Sequence, residues 1–240
     1  MLRKIRHFFI RRSFTNFVSY LIDNLLPPVI RDNRYLMFPF YYLSFKGKNI
    51  KEFMNFKAGF YRVNDEKLEQ IYQNYNTIGT ERRTDLNQRS VRYMMKNLHP
   101  ESKTILDAGC GKGYLLKELK KSGYQVTGAD IFDDPGNFEF SYIKASVQSL
   151  PFPDESFDIV ISTHTLEHII DIKKAVTELK RVAGKQIMVV VPCQRFYYYT
   201  LDHHLHFFPR KEMLEGLMDI QEHSVKKIGG DWIYIGYLGD

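Results

Sequence analysis

The residues most able to take part in binding or catalysis form a glycine-rich segment that begins with an acid. An apolar run at 103–108 contains Asp107, and Gly109, Gly111 and Gly113 follow at alternate positions. Glycine adopts positive φ and lets a ligand approach the backbone where a Cβ would collide. Helical spacing resumes directly afterwards, which predicts a strand, a turn with a backbone-lined pocket, and a helix. The spacing does not match the G-x-G-x-x-G dinucleotide pattern.

A second acid stands at the distance expected of a ribose ligand. Asp130 ends the next predicted strand and lies 21 residues after Gly109. That is close to the ~20-residue spacing at which a carboxylate meets ribose hydroxyls in Rossmann-like units. Taken singly, Asp107 could cap a turn and Asp130 could be a solvated acid at a strand end. Their order along the chain favours a nucleoside-binding site.

Three ordered motifs resemble those of the class I S-adenosylmethionine-dependent methyltransferases. They read LDAGCGKG, GADI and LPFPDESFDIVISTHTLEHI, and the resemblance covers residues 90–240. It implies an α/β, Rossmann-like fold with a seven-stranded, mostly parallel sheet, helices on both faces and a terminal antiparallel hairpin. It also implies S-adenosyl-L-methionine as the cofactor and S-adenosyl-L-homocysteine as the product, bound across the carboxyl ends of the strands.

The resemblance further implies roles for individual residues. The cofactor-binding positions that match the family pattern are Asp107, Gly109, Cys110, Gly111, Asp130, Ile131, Ser146, Val147 and Thr163. The turn at Asp107 would hold the methionine part, Asp130 the ribose, and Ile131 one face of the adenine. Ser146 stands where the family usually has an acid, so we expect weaker adenine recognition. Cys110 is interpreted as a small spacer between glycines rather than a nucleophile.

Histidines are the candidate catalytic residues. The segment 196–210, which follows the fifth predicted strand, combines histidines, an acid and aromatic side chains, so we expect it to form the acceptor pocket. An alcohol acceptor requires a general base, and His204 or His206 is the first choice, with His164 or His168 behind them. Adjacent and alternate histidines need not converge on one point, so we predict no metal site.

The net charge of +6 is concentrated at the amino terminus. Residues 1–48 carry nine basic and two acidic side chains, a net +7, which leaves −1 for residues 49–240. This pattern excludes a uniformly basic nucleic-acid-binding surface. We therefore predict a helical, basic and aromatic extension or lid at 1–89 and a methyltransferase domain at 90–240. With only two cysteines, the chain is expected in a reducing, cytoplasmic compartment.

Two interpretations of the extension remain open. An apolar stripe predicts a helix that begins after Ser13 and ends near Leu25, and aromatic residues follow at 35–45. The helix could pack on the catalytic domain, or residues 1–48 could contact an anionic membrane surface from the cytoplasmic side. No apolar run approaches the ~20 residues that a membrane-spanning helix needs. The polar segment 76–83 is predicted to be a lid.

The expected reaction is O-methylation of a sugar or another polar intermediate of surface-polysaccharide synthesis. This rests on the histidine-rich aromatic loop and on the basic extension, and in part on fold-level analogy. The residues after the fourth predicted strand, Thr163 and His164, do not form the Asn/Asp-Pro-Pro-aromatic motif, which disfavours nucleic-acid bases as acceptors. Alternatives are methylation of a quinone-type phenol, and a non-catalytic binding or scaffold protein that retains the fold.

Overall fold

The computed structural model describes residues 25–45, 47–59, 70–71, 84–133, 139–199 and 201–239. The chain divides into two compact units. The extension unit comprises residues 1–85 and 194–205, and the sheet unit comprises residues 86–193 and 206–240. The predicted helix after Ser13 and the predicted lid at 76–83 lie outside the described residues, apart from Leu25.

Short helices make up the described part of the extension unit: α1 Pro28–Arg31, α2 Arg34–Ser44, α3 Ile50–Met54 and α4 Phe56–Gly59. The side chain of Asn33 caps α2 by accepting hydrogen bonds from the backbone N–H groups of Tyr35 and Leu36. Along α2, Met37 and Tyr41 are buried, and Phe45 follows on the same side and stacks on Phe53 with ring centroids 4.1 Å apart. The helix is therefore anchored by a single stripe of side chains at i, i+4 and i+8.

The sheet unit contains seven strands: β1 Thr104–Ala108, β2 Gln125–Asp130, β3 Ser141–Lys144, β4 Phe157–Thr163, β5 Ala183–Pro192, β6 His223–Ile228 and β7 Asp231–Tyr237. Their spatial order is β3-β2-β1-β4-β5-β7-β6, with β7 antiparallel to both β5 and β6 and the other pairs parallel. The predicted Rossmann-like fold and its terminal antiparallel hairpin are confirmed.

The helices of the sheet unit are α5 Gln88–Lys96, α6 Tyr114–Lys121, α7 Ile172–Val182 and α8 Lys211–Met218, with a 3₁₀ turn at Leu166–His168. Successive strand residues point to opposite faces, so Ile105 packs with α5 and α6 while its neighbour Leu106 packs with α7 and α8. Because both faces are covered, the central strands are continuously apolar. The sheet positions the carboxyl ends of β1, β2 and β4 side by side.

Candidate active site

The turn from β1 into α6 has the backbone conformation that its glycines predict. Gly109, Gly111 and Gly113 have φ values of 82°, 51° and 65°, in the left-handed region that favours glycine. The N–H of Gly109 donates to the carbonyl of Ala129 at 2.8 Å, which ties the turn to the end of β2. Since Gly113 immediately precedes α6, the turn delivers the chain directly into the helix.

Close packing fixes this turn against the residues that follow β4. A Cβ placed on Gly109 would lie 2.2 Å from Oγ1 of Thr165, which is far inside van der Waals contact. The same hydroxyl donates to the carbonyl of Thr163 at 3.1 Å. On the other side of the turn, a Cβ on Gly128 would lie 2.8 Å from Sγ of Cys110, which is buried. Cys110 thus fills the space beside β2 as a small side chain.

Two acids are buried at the ends of the adjacent strands β1 and β2. Asp107 is 1% exposed, and its Oδ1 has no hydrogen-bond partner among the described residues. Burial, together with the charge of Asp130, raises the pKa of Asp107 to about 7. Burial also raises the pKa of Asp130, although hydrogen bonds from backbone N–H groups oppose the shift. The N–H of Gly111 donates to Oδ2 of Asp130 at 2.7 Å. The pair therefore offers acceptor atoms to a cationic or donor ligand.

The remaining predicted cofactor residues lie around the same sheet edge. Ile131 directly follows Asp130, and Thr163 ends β4. Ser146 follows a residue whose N–H donates to the carbonyl of Asp130 at 2.8 Å, and its own hydroxyl accepts from the N–H of Gln148 at 3.3 Å. The side chain of Val147 is buried in the core, so only its backbone can be offered to a ligand. The structure therefore brings the predicted cofactor residues together.

His164 occupies a conformation that its surroundings impose. It has a φ of 52°, and its imidazole Nδ1 lies 3.4 Å from Oε1 of Glu167 while Nε2 lies 3.6 Å from Oδ2 of Asp231. Burial by itself would lower the pKa of His164, but the two carboxylates outweigh it and raise the pKa to about 10. At neutral pH the ring is an imidazolium with no lone pair to accept a proton. This arrangement suits a positioning role, and the predicted catalytic role of His164 stays a prediction.

The other candidate bases, His204 and His206, lie in different units. The hydrogen bond that each ring makes indicates its tautomer. In the extension unit, Nδ1 of His204 lies 2.8 Å from Oε1 of Gln194. In the sheet unit, Nε2 of His206 lies 2.8 Å from the carbonyl oxygen of Ile169, and its backbone N–H donates to the carbonyl of Glu167. Because both partners are acceptors, the neutral form of His204 has its lone pair on Nε2 and that of His206 has it on Nδ1.

A glycine turn, two buried acids at strand ends and this strand order are features that nucleoside-binding α/β domains share. A family model for a methyltransferase domain matches residues 106–188. The chain contains a class I S-adenosylmethionine-dependent methyltransferase domain. The resemblance that the three sequence motifs carry is confirmed.

Known relatives match this methyltransferase domain over part of their length. The chain is 31% identical over 96 residues to a malonyl-[acyl-carrier protein] O-methyltransferase from Serratia marcescens, covering 37% of the chain and 36% of the relative. It is 28% identical over 102 residues to a ubiquinone biosynthesis O-methyltransferase from Rickettsia bellii, covering 38% and 42%. The chain thus spans well under half the length of these relatives.

A solved structure shares the fold. It is that of a SAM-dependent methyltransferase from Archaeoglobus fulgidus, with a TM-score of 0.53 and 16% identity, covering 62% of this chain and 92% of that one. At this identity the similarity establishes the architecture alone.

Sequence reasoning missed the partners of His164. Glu167 is fully buried, lies in the 3₁₀ turn Leu166–His168 and follows His164 by three residues. Asp231 begins β7 and also accepts from the side-chain amide of Asn87 at 3.3 Å. An acid three residues after a histidine is a weak signal, and no local pattern points to Asp231.

We expect Gly109→Ala to destabilise the methyltransferase domain more than Gly111→Ala. Both positions have positive φ, which costs an alanine roughly 1 kcal/mol. Only at Gly109 does the new methyl group also meet Thr165, since nothing lies within 4 Å of a Cβ at Gly111. Overpacking adds about 1–3 kcal/mol. Denaturant unfolding of both variants measures the difference, and equal free energies of unfolding would contradict the close packing.

We expect His164→Gln to lower the free energy of unfolding by about 3–5 kcal/mol at pH 6, because it leaves Glu167 and Asp231 without their cation. The pKa of His164 lies above its ordinary 6.5, at about 10, so its contribution is complete below pH 6.5 and is lost as the pH rises through 10. The difference from wild type should therefore shrink towards pH 10. His223→Gln, at a partly exposed histidine, should change stability by under about 1 kcal/mol at either pH. A pH-independent effect of His164→Gln would rule out the charge pairing.

Proposed function

We propose that this domain binds S-adenosylmethionine and transfers its methyl group to an oxygen of a polar, ring-containing acceptor. The observation that carries the binding step is the buried carboxylate of Asp107, whose Oδ1 has no hydrogen-bond partner among the described residues and whose pKa is raised. A buried acid without a partner costs free energy in the absence of a ligand. An α-ammonium group of an amino-acid ligand is the complementary donor and cation.

Asp130 would hold the ribose of the same ligand. Its Oδ2 accepts from Gly111 and its Oδ1 lies 3.4 Å from the N–H of Phe132, but each carboxylate oxygen has a second lone pair. These two lone pairs can accept hydrogen bonds from the two hydroxyl groups of a vicinal diol. On the adenine side, Ile131 offers an apolar surface, and Ser146 offers a neutral hydroxyl where an acid would bind the exocyclic amine more strongly.

The protein's part in the reaction is to position the acceptor. S-adenosylmethionine supplies a methyl group that is already activated on a sulfonium. The side chains need only align the attacking oxygen and exclude water, a contribution of ~7–11 kcal/mol for a well-oriented pair. A hydroxyl acceptor must also lose a proton, and Nε2 of His204 or Nδ1 of His206 carries the lone pair that would accept it.

A sugar or another polar intermediate of surface-polysaccharide synthesis is our first candidate acceptor. The loop at 194–205 presents the aromatic side chains of Phe196 and Tyr198, which are 63% and 37% exposed. Exposed aromatic faces provide a stacking surface for a ring, and the nearby histidines and Asp202 provide polar partners. The Rickettsia relative, a ubiquinone biosynthesis O-methyltransferase, supports the second candidate, a quinone-type phenol. The ring of such a phenol would stack on the same aromatic faces.

Calorimetric titration with S-adenosylhomocysteine tests the binding step. The carboxylate form of Asp107 is required to hold a cation, so affinity should rise with pH, by up to ~tenfold per unit, until about pH 7 and then level off. Asp107→Asn removes the charge and should remove most of this pH dependence while weakening binding at pH 8. Asp154→Asn changes an exposed acid and is the matched control. Failure of the wild type to bind would contradict the proposal and favour the scaffold alternative.

Methyl-transfer assays with nucleotide-linked sugars and with a quinone-type phenol test the second step. We expect His204→Ala or His206→Ala to lower turnover by about 10²–10⁴-fold on the acceptor that wild type uses, because the general base is lost. The affinity for S-adenosylhomocysteine should be unchanged in both variants. Wild-type turnover in both variants would eliminate these histidines as bases, and activity on the quinone-type phenol alone would exclude the sugar acceptor.

A further inference from the structure

Exposed apolar side chains are concentrated in one short segment of the extension unit. Among the described residues, thirteen large hydrophobic side chains are exposed, and nine of them lie between residues 25 and 43. These nine are Leu25, Val29, Ile30, Tyr35, Leu36, Phe38, Phe40, Tyr42 and Leu43, which we call the apolar surface. A patch of this kind on a folded protein marks a site of interaction with a partner or a membrane.

Helix α2 shows why this surface is unusual. Its anchoring stripe buries Met37 and Tyr41, yet Tyr35 and Leu43 on the outward side are 85% and 69% exposed. A surface helix ordinarily places charged or polar residues on the side that faces water. Here Arg34 is the one charged residue in the helix, so the outward side is aromatic and aliphatic over three turns. The exposed side of α2 therefore lacks the polar residues expected of a helix that faces water.

The charged residues next to the apolar surface indicate which kind of partner binds there. Arg34, Lys48 and Lys51 are exposed in or just after α2, with Glu52 as the neighbouring exposed acid. Because these described charges are mainly basic, a second copy of the chain would bring like charge against like. A surface of opposite sign that also accepts aromatic side chains at its boundary is an anionic phospholipid bilayer.

We propose that the apolar surface docks the protein on the headgroup region of an anionic phospholipid bilayer, with α2 lying in the membrane plane. Tyr35 and Tyr42 are amphipathic rings suited to the headgroup level, whereas Leu36, Phe40 and Leu43 would enter the acyl boundary. Among the residues that the structure describes, no helix is long and apolar enough to cross a bilayer. This proposal does not depend on methyl transfer.

Co-sedimentation of the full chain with vesicles tests the proposal. We expect binding to vesicles that mix phosphatidylcholine with phosphatidylglycerol, and much weaker binding to phosphatidylcholine alone, with affinity falling as salt increases. The triple variant Val29→Ser, Tyr35→Ser, Leu43→Ser removes three of the most exposed apolar side chains and should bind at least about tenfold more weakly. Met213→Ser changes an exposed apolar side chain of α8 and should bind like wild type.

The charge contribution is measured separately. Lys48→Gln with Lys51→Gln should weaken binding to the mixed vesicles by roughly twenty-fivefold, about fivefold for each charge near the surface. The same double change at the exposed Lys173 and Lys174 on α7 should leave binding unchanged. Since every substituted side chain is exposed, unfolding midpoints should stay at the wild-type value and show that the variants fold.

Three results would overturn the proposal. They are no sedimentation of wild type with either vesicle, equal binding to neutral and anionic vesicles, and wild-type binding by the triple serine variant. Sedimentation equilibrium without lipid tests the alternative that a second copy of the chain covers the apolar surface. A dimer that is lost in the triple variant, with no vesicle binding, would assign the apolar surface to a second copy of the chain.

Discussion

The burial of two carboxyl groups at the ends of β1 and β2 is the constraint on which the rest of the site depends. Asp107 and Asp130 lie beside a glycine turn in which Gly109 leaves no room for a Cβ, because it packs directly against Thr165. Removing two acids from water costs free energy that must be recovered from hydrogen bonds or from a ligand. Backbone N–H groups recover part of it for Asp130, and Asp107 keeps an oxygen without a partner among the described residues. The acids therefore favour binding of a cationic nucleoside.

The two buried acids next to His164 are stabilised by a cation from the protein itself. Glu167 and Asp231 are also buried, but the imidazolium of His164 stands between them and supplies the missing positive charge. Asp231 is further held by Asn87, the residue that caps α5. These contacts join the end of β4, the start of β7 and the start of α5 within the sheet unit. The imidazolium offsets one of these two negative charges, whereas the charge that acts on Asp107 is that of a second acid, Asp130.

The parts of the fold that sequence could predict are those with local causes. Alternating glycines, apolar strands and an acid at each strand end identify a Rossmann-like domain, because each feature reports a backbone conformation or burial at its own position. The cofactor residues from Asp107 to Thr163 are what the resemblance of these motifs to the family implies, and the structure brings them to one sheet edge. The side chain of Val147 shows the limit, since its place in the core depends on how the segment after β3 packs.

The parts that sequence could not predict depend on contacts between distant residues. Asp231 is one of the two acids that raise the pKa of His164 against the effect of burial, and the antiparallel pairing of β5 with β7 places it there. The loop at 194–205 belongs to the extension unit although it follows β5 directly. Exposure along α2 is likewise a property of packing: the apolar residues at 35–45 are compatible with a core or with a surface, and only the structure distinguishes the two.

A crystal structure of the chain grown with S-adenosylhomocysteine tests the central claim most directly. The account predicts the α-ammonium group within hydrogen-bonding distance of Asp107 Oδ1, and the ribose hydroxyls on the carboxylate of Asp130. Density for the ligand elsewhere, or a cleft that stays empty at saturating ligand concentration, would contradict it.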